Sequence, residues 1–457
     1  MKWICIILII IFAVGSCKKW ISVAPPITQL SNSTLFEDSV TANAAVSGIY
    51  GDMMTSFLGI CGGNLTLLTG LQADEFQTYA AGSDQSAFYN NAINPASTNL
   101  QSLWKTAYKY IYESNAVLEG LSHSLKISSG ARSQFEGEVK FLRAFCHFYL
   151  LQYFGNIPYV STTDYRTNQE AVQISRKEIF QKIMQDLGDA IPLLSIDYHF
   201  SGGERARVNR SSALALMARV KLYDHDWVDA EQFASQVIGS GLYQLETDLS
   251  KVFLKNSSEA IWQLAPVNPS YNTWEGYEFI LHGQPTSAPA QVALSNSLIN
   301  SWEPGDARRA IWIDSIVVGP NTYFFPFKYE IQNGGNLQEY YMVLRLAEQY
   351  LIRAEARAMQ NNFTGSVEDI NAIRSRASLP LLSSISTQDS CLAMIGIERR
   401  HELFCEWGHR WFDLVRRHLA NAVLSPIKPG WQDTDTLAPI PITEIQNDPN
   451  LIQNKGY

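Results

Sequence analysis

From Ala42 onward, apolar residues recur three and four apart. Ala45, Ile49 and Met53 mark one stripe, and Trp104, Tyr108, Ile111, Asn115 and Leu118 mark another, so two amphipathic helices are predicted. Val139, Leu142, Cys146, Tyr149 and Tyr153 make one face of a third helix, and Phe141, Phe145, Phe148 and Leu151 fill a second face. Two apolar faces describe a helix buried between neighbours, and Gly155 followed by Pro158 should stop it. Asn209 or Ser211 can cap a further helix carrying Ala213, Met217, Val220 and Leu222; a turn at 224–226 then leads into Trp227, Ala230, Ala234 and Ile238, with Gly241 beyond.

That last pair reads as a helical hairpin. Ala218, Ala230 and Ala234 would let its helices approach closely, as in tetratricopeptide units. A second hairpin follows far downstream, where Leu344, Ala347, Leu351, Ala354 and Ala358 precede Asn361 and Asn362, then Val367, Ile370 and Ile373. Between them, residues 265–338 are rich in Pro, Gly, Asn and aromatics, with short strand-like runs at 311–318 and 323–329. A long irregular segment of this kind within a helical domain is usually functional or mobile. No linker divides the chain, so the expected fold is mainly α: tetratricopeptide-like helical hairpins in one large domain, residues 17–457, with long irregular loops and a few short strands.

The first 16 residues stand apart. Lys2 supplies a positive start, an apolar run through Val14 follows, and Val14, Gly15, Ser16 and Cys17 form the pattern cut before a cysteine is lipidated. The run is too short to span a membrane. An ordinary secretory signal with a chance cysteine is the alternative; the preferred reading is a lipid-anchored (palmitate-type) protein held on a bacterial membrane through Cys17. The net charge of -9 is dispersed along the chain, which disfavours nucleic acid as a partner. Of six cysteines, Cys61, Cys146, Cys391 and Cys405 lie beyond the leader and anchor without disulfide or zinc-framework spacing.

No nucleophile elbow, P-loop, dinucleotide fingerprint or HExxH helix is present in the sequence. The 44 acidic residues offer many carboxylate pairs, but the separation a glycosidase requires is three-dimensional, so abundance points to nothing. Near the C-terminus, Glu398, Arg399, Glu402, Glu406, Arg410, Asp413 and Arg416 mix both signs at helical spacing. A partly buried ion-pair network is expected there rather than an active site. His401, Cys405 and His409 are four apart, which could align three metal ligands, but Gly408 interrupts that helix.

The run from Glu398 to Leu403, continued by Glu406, Gly408, Arg410, Phe412, Asp413, Leu414, Val415 and Arg416, resembles the C-terminal signature of the SusD-like (RagB/SusD) outer-membrane nutrient-binding lipoproteins. Leu142, Arg143 and Ala144 through Tyr153, Phe154, Gly155 and Pro158 are similar to that family's N-terminal helix; Arg345 to Ala356 is similar to the block before its last helical pair, and Pro439 to Tyr457 to its tail. The resemblance implies a cell-surface protein that binds glycans or other nutrients, needs no cofactor, performs no catalysis, and pairs with a SusC-like TonB-dependent transporter as a lid over its barrel. Acidic residues usually follow the cysteine in exported members; Lys18 and Lys19 follow it here.

Sugar recognition requires flat aromatic faces together with amide, carboxylate or guanidinium groups on a preformed surface. Two regions offer these. The first holds Asp74, Phe76, Tyr79, Tyr89 and Asn90, with Asp74 and Glu75 resembling the acidic pair that opens this loop in the family. The second, in the irregular segment, holds Tyr271, Trp274, Tyr277 and Trp302, where no family motif applies; Trp274 leads, because Asn, Gly, Ser and Thr around it point to an exposed loop. The alternative function is a helical-repeat scaffold for protein or peptide partners.

Overall fold

In the computed structural model, which describes residues 35–286 and 291–457, helices carry the architecture. The predicted lipidation residue Cys17 lies outside the described residues. In chain order the principal helices are α1 (Ser39–Asp52), α2 (Asn64–Gln72), α3 (Thr98–His123), α4 (Ser129–Phe154), α5 (Arg176–Leu193), α6 (Arg210–Tyr223), α7 (Trp227–Ile238), α8 (Trp274–Phe279), α9 (Leu346–Met359), α10 (Phe363–Arg376), α11 (Gln388–Glu402) and α12 (His409–Arg416). Their starts are chemically marked: Asp38 accepts hydrogen bonds from the N–H groups of Val40 and Thr41, Asn209 and Ser212 form a reciprocal cap, and Ser175 pairs likewise with Glu178. Gly155 ends α4 at φ 75°, a conformation that a side chain would strain.

The long helices from α3 to α7, and then α9 to α11, pack in sequence order, and α9 docks directly on α7. Two hairpins separated by about a hundred residues in sequence therefore become one continuous array. Ala218, Ala230 and Ala234 are fully buried where α6 meets α7. Helix α4 is the axis of the core, buried on every side from Phe141 to Phe154.

The strands are short: β1 (Phe76–Thr78), β2 (Ile157–Pro158), β3 (Gln173–Ile174), β4 (Ala260–Leu264), β5 (Val292–Leu294), β6 (Ile313–Val318), β7 (Asn321–Pro326) and β8 (Tyr341–Arg345). All pair antiparallel, as β1–β5, β2–β3, β4–β8 and β6–β7. The β4–β8 pair clamps the base of the irregular segment, so the segment leaves and re-enters the array at one place. The runs expected at 311–318 and 323–329 form the β6–β7 hairpin, shifted by two or three residues and turning at Gly319, φ 60°.

At that clamp lies the charged core. Arg345, at the end of β8, places all five of its N–H donors. Nε and Nη2 bond Glu406 at 2.8 and 2.9 Å, Nη1 bonds Glu259 at 2.9 Å and Glu402 at 2.5 Å, and Nη2 also bonds the Glu402 carbonyl at 2.7 Å. Arg376 joins Glu259 and Glu402. Arg308 bonds Asp306, Glu398 and Glu402, and Arg374 joins Glu398 to Glu303. Lys328 Nζ donates to Glu406 and to the carbonyls of Glu402 and Phe404. The expected ion-pair network is thus present, and it is deeper and wider than the C-terminal signature alone indicates.

The four-residue spacing of His401, Cys405 and His409 does not produce a common face, because α11 ends at Glu402 and Cys405 and Trp407 take positive φ values of 50° and 48°. His401 instead stacks on Trp302. Among the described residues no group of three or more His, Cys, Asp or Glu is placed to hold a metal ion, and no helix is long and apolar enough to cross a membrane.

Removing Arg345 would strand Glu259, Glu402 and Glu406 in the interior. Arg345→Ala is expected to cost about 3–5 kcal/mol, whereas Lys109→Ala, which breaks an exposed pair with Asp52, should cost under about 1 kcal/mol. Urea unfolding of both variants checks this, and equal costs would refute the assignment of the network as the structural centre.

Candidate functional site

Tyr271, Trp274 and Tyr277 come together at the surface. Thr273 caps α8 by accepting the Gly276 N–H at 3.0 Å, so the expected loop is a short helix here. Trp274 and Tyr277, three residues apart on that helix, lie beside Tyr271. The ring centroids are 5.2 Å (Tyr271–Trp274), 4.3 Å (Tyr271–Tyr277) and 6.2 Å (Trp274–Tyr277), and all three side chains are half-buried.

The helix is fastened from several directions. Trp274 Nε1 donates to the Met54 carbonyl at 2.8 Å, just past the end of α1. Phe279, on the inner face, contacts Phe57 and Phe76 with centroids 6.4 and 5.0 Å away. Gln332 Nε2 donates to the carbonyls of Tyr277 and Ile280, both at 3.1 Å. Gly276 allows the backbone at Ile331 to approach, since a Cβ there would meet its carbonyl oxygen at 2.9 Å. Asn272 is buried and accepts the N–H groups of Gln338 and Glu339, closing the segment beneath the rings.

Glu275 points inward and accepts from the Tyr341 hydroxyl at 2.9 Å. Burial pushes its carboxyl up to about 8, so it is an uncharged acid at neutral pH. Glu75 is likewise pushed up to about 7 by burial, against the opposing hydrogen bond from the Cys405 N–H.

The other sequence candidates separate from this cluster. Phe76 is 1 % exposed and supports α8 from below, so it cannot offer a face to a ligand. Asp74 is also interior. Burial would raise its carboxyl, but Arg410 and Arg400 hold it at about 2, with Ser297 donating to it at 3.0 Å. It is an ion-pair partner of the C-terminal helices and leaves the candidate set with Phe76. Tyr79 packs edge-on to Tyr323, within an apolar cluster that includes Ile280 and Leu281 immediately after α8. Tyr89 lies 4.4 Å from the Lys428 ammonium, which also donates to its carbonyl, and the neighbouring Asn90 is exposed. Trp302 stacks on His401 at 4.4 Å and 17°. Sequence reading missed Met54, Phe57 and Gln332, which hold the platform and lie 220, 217 and 58 residues from Trp274; no local pattern links them to it.

Two family profiles tile most of this architecture. One, described as "Starch-binding associating with outer membrane", matches residues 35–222, and one described as "SusD family" matches residues 269–457. The chain belongs to the SusD-like family. A SusD-like protein of Formosa agariphila is 25% identical over 489 aligned positions, covering 94% of this chain and 95% of the other. The crystal structure of a SusD superfamily protein from Bacteroides vulgatus shares the fold with a TM-score of 0.80 at 19% identity, over 92% of this chain and 100% of that one. Surface glycan-binding protein A from Bacteroides thetaiotaomicron, in complex with laminarihexaose, matches with a TM-score of 0.77 at 20% identity, over 91% and 99% of the two chains. The helical SusD-like fold is therefore shared across the chain, and the family is described as associated with the outer membrane.

Because folded Glu275 keeps its proton up to about pH 8 while the unfolded chain releases it near the ordinary glutamate value, its contribution to stability falls as pH rises across that window. Glu275→Gln should flatten the fall of the thermal midpoint between pH 5 and 8. Melting curves across the range test this, and parallel profiles for the two proteins would refute it.

Proposed function

We propose that this SusD-like protein is a glycan-binding protein that takes an oligosaccharide on the Tyr271–Trp274–Tyr277 platform. The observation that carries the reading is the convergence of these three rings on a helix fixed from behind. Aromatic faces accept the C–H surfaces of pyranose rings, and a platform ordered before binding avoids much of the entropy cost of association. Half-burial leaves each ring partly open to solvent, and Trp274 packs against the main core. The laminarihexaose complex of a relative of the same fold supports the ligand class, and the starch-binding description of the N-terminal profile supports it independently.

In this reading the protein binds and does not catalyse. Asp74 is locked by two arginines, and Glu75 and Glu275 are interior. The family resemblance supports the remaining steps: anchoring to the outer membrane by lipid at Cys17, a cell-surface orientation, and transfer of the ligand to a SusC-like TonB-dependent transporter. Tethering would keep the protein at high effective concentration beside such a partner.

Isothermal titration with laminarihexaose and maltohexaose tests the site. Trp274→Ala is expected to weaken the bound glycan by about tenfold or more, consistent with loss of a stacking face, and Tyr277→Ala by less, with circular dichroism spectra unchanged in both. Full affinity in Trp274→Ala would remove the platform from the site, and tight binding of peptides with none of glycans would favour the scaffold alternative.

A further inference from the structure

Away from the platform, a cleft of about 650 Å³ opens between the N-terminal turns of α5, the end of α6 with its following turn, and α12. Its floor is apolar: Phe180, Tyr223 and Phe412 are buried, and Leu437 and Met184 line the sides. Its polar lining holds Arg176, Lys177, the imidazoles of His225 and His418, and Arg416, which is itself paired with Glu355 and Asp413, beside the carboxylate of Asp224.

Many of the interior arginines are paired with carboxylates. Arg143 reaches Asp186, Arg207 reaches Glu138, Arg219 reaches Glu348, and Arg416 is taken up by Glu355 and Asp413. Arg176, an exposed residue at the edge of the cleft, is not paired in this way. Among the described residues it forms no ion pair, and its guanidinium has one hydrogen bond, from Nη2 to Gln152 Oε1 at 2.8 Å. The guanidinium lies 4.9 Å from the centre of the Phe180 ring, which holds the fork over the apolar floor. Gln152 also lines the cleft; it is 5% exposed, and its Nε2 has no partner among the described residues. An unpaired guanidinium and an unsatisfied buried amide donor beside an aromatic floor together describe a receptor for a carboxylate carried on a ring.

We infer that this cleft binds a sugar acid, with its carboxylate on Arg176 and Gln152 and its ring against Phe180 and Leu437. Lys177, in the first turn of α5, adds positive potential at the mouth. The inference stands apart from the glycan platform, since no residue of α8 lines the cleft.

Isothermal titration of the full chain with glucuronate, glucose and acetate separates the components. Glucuronate should bind about tenfold or more tightly than either glucose, which lacks the charge, or acetate, which lacks the ring. Arg176→Gln should weaken glucuronate by about tenfold, and Arg176→Lys by less, because it keeps the charge but loses the planar fork. Neither change should alter laminarihexaose affinity. Equal affinities for glucuronate and glucose, for glucuronate and acetate, or for wild type and Arg176→Gln would each overturn the assignment. Loss of laminarihexaose binding in Trp274→Ala with glucuronate binding retained would show the two sites to be separate.

Discussion

Arg345 is the residue on which the architecture turns. It ends β8 and immediately precedes α9, so one side chain sits where the irregular segment rejoins the helical array. Its partners come from the start of β4 (Glu259), the end of α11 (Glu402) and the turn before α12 (Glu406). Burying so many charges is expensive in desolvation, and apolar residues of similar volume would often serve stability as well. What an apolar cluster would not supply is direction. Five donors meet five acceptors only when β8 lies in the observed register, since a slip of one residue along β4 would turn Arg345 to the other side of the pair. The network thus fixes where a long segment returns, which brings α9 against α7 and completes the array.

The platform is stabilised by a different use of carboxylates. In the Arg345 network burial is offset by counter-charges, and the guanidinium is held in its charged form well above its ordinary range by Glu406, Glu402 and Glu259 despite desolvation. Beneath α8 the balance reverses: Glu275 is buried with a tyrosine hydroxyl as its partner, and burial wins, leaving the acid neutral. A neutral acid can be enclosed beneath half-buried aromatic rings without placing a net charge under the surface proposed for C–H contacts. The two arrangements meet at Lys328 and Glu406, which contribute to the electrostatic surroundings of both.

Much of this was legible in the sequence where the determining contacts are local. Sustained apolar stripes located α1, α3, α4, α6, α7, α9 and α10, and the three-residue spacing of Tyr271, Trp274 and Tyr277 marked them as a cluster, although the expected loop is a short helix capped by Thr273. Helix α5 went unread although the Ser175–Glu178 box and the Ile179, Phe180, Ile183, Leu187 and Ala190 pattern announce it. Helix α2 carried no such signal: every residue is buried, including Asn64, Thr66, Thr69 and Gln72, so it has no polar stripe to contrast with an apolar one. The interior place of Asp74 and the neighbour of Trp302 went unread for a third reason. Asp74 meets Arg400 and Arg410 more than 320 residues away, and Trp302 meets His401, pairings that no local window contains.

The inner side of the array also bears on the choice between a glycan receptor and a scaffold for peptides. An open helical solenoid binds along its concave surface because that surface is left uncovered. Here the chain packs its own residues on α4: Trp262 of β4 and Trp407 of the turn before α12 lie against Phe145 at 5.2 and 5.4 Å, and Tyr149 lies 5.5 Å from Trp407. A peptide seeking this face of α4 would have to displace this aromatic core. In the proposed reading the array acts as a frame, and recognition falls to the aromatic platform on the inserted segment and to the cleft beside α5. Those two surfaces differ in charge and in what they could stack or pair with, so a ligand suited to one has little reason to occupy the other.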